Sequence, residues 1–115
     1  MIHQRTQYSI PASGTIANLV AGTAIEYITR PSNLKIFATS DSSGDTFGVT
    51  VVMGGDARVL VPSSSTINLA SATGAGPKLD EDFYGEWALP QGAHIIVAIT
   101  GTTGHTGRLA FEVNP

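Results

Sequence analysis

The chain of 115 residues has no cysteine, which removes a disulfide framework, cysteine-bound zinc, iron–sulfur clusters and thiol catalysis together. Charge is scarce as well: 13% of the residues are charged, about half the share usual in soluble domains. Six Lys and Arg against nine Asp and Glu give a formal net charge of −3, which excludes a strongly basic nucleic-acid surface. No run of about twenty apolar residues occurs, and the polar start through Gln7 lacks the apolar stretch of a signal peptide. The expectation is a chain that neither crosses a membrane nor leaves by the general secretory route.

What is present is turn and strand material. Gly, Pro, Ser and Thr make up more than a third of the chain, and 42% hydrophobic residues suffice to bury one core. Eight strand-like runs recur between turn signals: 6–10, 23–29, 34–39, 47–53, 57–61, 66–70, 93–100 and 108–113. Pro11 stops the first and Pro31 the second, because proline supplies no backbone donor and holds the residue before it extended. In the fourth run Phe47, Val49, Val51 and Met53 share one face, the signature of a core strand. Five successive apolar residues from Ile95 to Ile99 imply a strand covered on both faces, and Phe37 implies partial cover on the outer face of 34–39. Ile16, Leu19 and Val20 keep open a short helical turn within 13–21. The pattern predicts one all-β domain over 1–115, an antiparallel β-sandwich or jelly roll of about eight strands. Its expected core is Ile36, Val49, Val51, Val59, Ile95, Val97, Ile99, Leu109 and Phe111. Residues 1–10 are expected to be an interacting arm or an edge strand, and the low-complexity stretch 71–77 a mobile surface loop.

No segment carries a catalytic signature. Asp41, Ser43 and Asp45 alternate as at the start of a calcium loop, but the sixth and twelfth places hold Thr46 and Val52 instead of Gly and Glu. Asp80, Glu81 and Asp82 read as a solvated loop, or as carboxylates facing cations of a neighbouring subunit. His3, His94 and His105 lack metal-ligand spacing. Gly101, Gly104 and Gly107 superficially suggest a phosphate loop, yet the Lys-Ser/Thr end is missing and a strand follows, so a hairpin turn is expected. No Gly-x-Ser-x-Gly elbow occurs. Asp82 and Glu86 beside Trp87 form the kind of carboxylate pair that glycosidases use, in a chain too small to offer a deep cleft. No catalytic, cofactor or metal residues are therefore assigned.

Phe83, Tyr84 and Trp87 place three of the eight aromatics within five residues. Such a group forms a core edge, anchors a protein interface or stacks sugar rings; acidic neighbours argue against nucleic acid. Tyr8 and Ile10 alternate with polar residues and could add to the sheet edge of another chain through backbone hydrogen bonds. Tyr8, Ile10, Phe83, Tyr84 and Trp87 are the candidate interface residues.

The layout of about eight short antiparallel strands, with Pro90-Gln91-Gly92 leading into the apolar strand 95–99 and a short terminal strand 109–113, resembles the small jelly-roll-like structural proteins of tailed phages and other bacterial viruses, among them decoration or cement proteins and minor capsid proteins. That resemblance implies a virion component without enzymatic activity or cofactor, assembled in the host cytoplasm. It would form a homo-oligomer, with a trimer favoured, and clamp the lattice of the major capsid protein. Residues 1–7 carry only Arg5 as a basic side chain, which favours outer decoration over contact with the genome. A carbohydrate-binding or receptor-binding β-sandwich module is the alternative.

Overall fold

A computed structural model describes residues 2–70, 72, 76–78 and 81–115. Among the described residues nine strands are found: β1 (Ile2–Ser9), β2 (Thr15–Ile16), β3 (Ser32–Ser40), β4 (Thr46–Met53), β5 (Asp56–Thr66), β6 (Asn68–Leu69), β7 (Phe83–Leu89), β8 (His94–Thr100) and β9 (Thr106–Asn114). One sheet runs β1-β9-β3, with β7 and the two-residue β6 sharing the other edge of β3; the second runs β2-β8-β4-β5. The antiparallel pairs β1·β9, β2·β8, β3·β7 and β4·β5 are those of one long hairpin. Pairing of β9 with β3 and of β8 with β4 rolls that hairpin into two sheets. This is jelly-roll winding, and it leaves β1 and β7 as edges of the first sheet.

Alternation of side chains decides what the sheets enclose. In β8 and β9 every second residue is buried, so Ile95, Val97, Ile99, Leu109, Phe111 and Val113 point inward. They meet Leu34, Ile36 and Ala38 from β3 and Phe47, Val49 and Val51 from β4 in one continuous core. Burying each of these side chains but that of Ala38 contributes roughly 1.5–3 kcal/mol. Of the expected core residues only Val59 is misplaced, being 61% exposed. The cause is a pair of register shifts in the β4·β5 ladder, which set Val61 opposite Val49 and Val59 opposite the outward Thr50. Leu60 and Val61 take the inward places instead.

Two expected elements are replaced. Residues 23–29 make no strand: Tyr27 forms an isolated bridge to His94, while Ile28 N donates to Ala93 O and Glu26 O accepts from Ile95 N, so this stretch follows β8 irregularly. The helical turn within 13–21 is absent because Asn18 binds β8: its Oδ1 accepts from Val97 N at 3.0 Å and its Nδ2 donates to Ile95 O at 3.3 Å. Such side-chain bonds to distant backbone outcompete a local helix. Conversely, the aromatic group lies on a full strand, β7, with a bulge opposite the Ile36/Phe37 step. Most of the stretch expected to be a mobile loop, residues 71 and 73–75, lies outside the described residues, as does Asp80.

Strand registers define the two ends of the sandwich. At one end the start of β1 and of β3 meets the finish of β9, with Ile2 opposite Val113 and Val113 opposite Leu34. At the other, Ser9 faces Thr106 and Ser40 faces Gly107.

Candidate functional site

At the second end a carboxylate is sealed inside the protein. Asp45 has no exposed surface, yet it lies in the turn between β3 and β4. Its Oδ2 accepts from the Tyr8 hydroxyl at 2.6 Å, and its Oδ1 lies 2.6 Å from Nδ1 of His105. Ser40 Oγ stands 2.9 Å from Oδ2, 2.6 Å from the carbonyl of Ser42 and 3.4 Å from that of Thr106, so one hydroxyl proton has three acceptors in reach. A carboxylate taken from water needs such donors, and the short distances are those of charge-assisted bonds. Across the 2.6 Å contact His105 Nδ1 is the donor and Asp45 Oδ1 the acceptor. Burial, reinforced by Asp45 as acceptor, pushes the Tyr8 phenol far above its ordinary value, so Tyr8 stays a donor.

The glycines read as a hairpin turn are what let this group close. A Cβ at Gly101 would overlap Oδ1 of Asp45, and one at Gly107 would overlap the Tyr8 ring. Gly104 has φ +90, a conformation that side chains rarely adopt, in the turn between them. Asp45 turns inward while Oδ2 of Asp41 accepts from Thr106 Oγ1, so the alternation at Asp41, Ser43 and Asp45 builds no cation cradle. Among the described residues no group of three potential metal-ligating side chains is found. Every buried side-chain polar atom there has a hydrogen-bond partner.

The candidate interface residues part company. Tyr8 and Ile10 are 1% and 2% exposed and belong to the chain's own core, so neither side chain is available to a neighbour. Residues 2–9 are an edge strand paired along their whole length with β9, and among the described residues no strand pairs with their outer edge. Trp87 is half-buried against the core and lies over Gly85, where a Cβ would meet its ring. Tyr84 packs edge-on against Phe47 at 4.7 Å, donates to Thr66 O at 2.5 Å and accepts from Asn68 N at 3.2 Å. Burial raises the Tyr84 phenol, with the Asp82 carboxylate adding and the Asn68 amide opposing. Phe83 alone of the three is exposed, at 45%, and its ring rests on Phe37 with centroids 5.4 Å apart. Asp82 serves the turn before β7, accepting from Lys78 N at 2.8 Å and Asn68 Nδ2 at 3.1 Å.

A third group lies where 23–29 follows β8. Tyr27, 54% exposed, stacks on the His94 ring with centroids 4.4 Å apart and planes 14° from parallel. His94 Nε2 is 3.0 Å from Oε2 of Glu26, whose Oε1 accepts from Gly22 N at 2.9 Å. The Gly22 amide first and His94 second hold the Glu26 carboxyl below its ordinary range.

The sequence offered no sign of the Asp45 network or of the Tyr27 stack. Asp45 is 37 residues from Tyr8 and 60 from His105, His94 is 68 from Glu26, and a small polar turn resembles a solvated one in sequence. No family model, curated protein or solved structure matches the chain.

Proposed function

We propose that this protein is a non-enzymatic structural component of a bacterial virus particle, a decoration, cement or minor capsid protein that self-associates, as a trimer, and binds the capsid lattice. The winding supports this reading by analogy of fold, since jelly rolls of two Greek keys serve as viral capsid domains, and fold alone does not dictate function. The observation that carries it is Phe83. A phenylalanine fixed on Phe37 on the outer face of the first sheet, 45% exposed, is a rigid apolar knob of the kind that anchors protein interfaces. Leu69, 61% exposed, lies in β6 on the same edge of β3.

Sedimentation equilibrium tests the self-association, and co-sedimentation with assembled phage shells tests the attachment. The expected result is a trimer in which Phe83→Asp yields a folded monomer that no longer pellets with shells. A wild-type chain that stays monomeric at all concentrations and ignores shells overturns the proposal.

A further inference from the structure

At the end of the sandwich where β1 begins, a cavity of about 190 Å³ opens between that strand, residues 24–32 and the end of β9. We propose that it binds a pyranose bearing a carboxylate, with the sugar ring stacked on the free face of Tyr27 and the carboxylate held by Arg30. This proposal stands independently of the virion reading.

One aromatic face is what a sugar ring requires. Tyr27 lines the cavity, and His94, stacked on one face of its ring, does not. The platform is rigid before any ligand arrives: the imidazole behind it is braced by Glu26, Glu26 by the Gly22 amide, and the Tyr27 backbone by its bridge to β8. Little side-chain freedom is then lost on binding. A flat aromatic ligand would call for a second parallel face, but the remaining walls are aliphatic, from Ile2, Ile25 and Val113, with a polar rim at Thr29 and Arg30. That mixture matches a pyranose, which has a C–H face for the tyrosine and hydroxyls at its edge.

Charge selects among sugars. Each of the three histidines sits beside a carboxylate, Glu112, Glu26 or Asp45. Among the described residues Arg30 has no ion pair with a carboxylate, and it lines the cavity, which makes it a ready fork for a carboxylate.

The test is a titration of the ¹⁵N-labelled full chain with the methyl glycoside of N-acetylneuraminic acid, with methyl glucoside as the neutral control, followed by amide chemical shifts. Saturable shifts are expected around Tyr27, Arg30 and Ile2, with a dissociation constant on the order of 1 mM. Tyr27→Ala should weaken binding of the acidic sugar about tenfold. Arg30→Gln should do the same for the acidic sugar alone. Both side chains are exposed, and unchanged spectra elsewhere will show that the variants fold. Absence of saturable shifts, shifts confined to another surface, or wild-type binding by both variants overturns the site. Equal affinity for the neutral glycoside overturns the role given to Arg30.

Discussion

Replacing Asp45 with alanine should be among the most damaging single changes the chain can suffer. The carboxylate has no exposed surface, so its loss strands the Tyr8 hydroxyl, itself 1% exposed, and removes the acceptor of His105 Nδ1. Stranding a buried donor costs about 1–3 kcal/mol, and with Ser40 and His105 also losing an acceptor the total should reach about 3–5 kcal/mol. At roughly 4 °C per kcal/mol for a domain near this size, the melting temperature should fall by roughly 12–20 °C. Asp45→Asn keeps the volume and one acceptor oxygen but points an amide donor at a donor, so it should cost about 1–3 kcal/mol. Urea unfolding followed by fluorescence of the single tryptophan, half-buried Trp87, reads both variants. A double-mutant cycle with Tyr8→Phe isolates the 2.6 Å bond, and a coupling of about 0.5–3 kcal/mol is expected. If Asp45→Ala unfolds within about 1 kcal/mol of wild type, the network is not a stabilising element and the argument from burial is wrong.

Val97→Ala, at a site without exposure, should lose about 1–4 kcal/mol, while Val59→Ala, 61% exposed, should stay within about 0.5 kcal/mol; equal effects in urea unfolding would contradict the β5 register. Gly48→Ala should destabilise by about 1–3 kcal/mol, because its Cβ would lie 2.6 Å from the Ser63 Cα, and backbone cannot swing aside; a neutral result in thermal melts would count against the packed bulge. Since Glu26 is held below its ordinary range when folded, its contribution is complete above the unfolded carboxylate value and disappears as pH falls through the lower folded one. Glu26→Gln should therefore flatten the acid limb of the stability profile and leave its slope near neutrality alone, which melting curves across acidic pH would reveal.

Alternation made β4 and β9 legible from residues alone, because a period of two is a local property that survives in any sheet with one face buried, and an unbroken apolar run did the same for β8. Phe37 likewise announced a partly covered outer face, and Phe83 supplies that cover. The all-β class follows from composition, but the proline stops hold only in part: β1 ends before Pro11, whereas β5 runs on through Pro62. Tertiary structure decided the rest. Residues 83–89 form a full strand although Gly85 and a bulge interrupt their pattern, since the edge of β3 supplies the pairing that propensity does not. Residues 23–29 look like a strand but lack a regular ladder, being drawn along β8 by individual bonds. Val59 and Val61 are two of a kind in sequence, and only the shifted β4·β5 register sends one to solvent and the other to the core. Tyr8 and Ile10 could have faced a neighbour; pairing of β1 with β9 turned them inward. Asp45 is the sharpest case, because a short polar turn is solvated unless distant donors close over it, and Tyr8 and His105 arrive there only when the hairpin has rolled up.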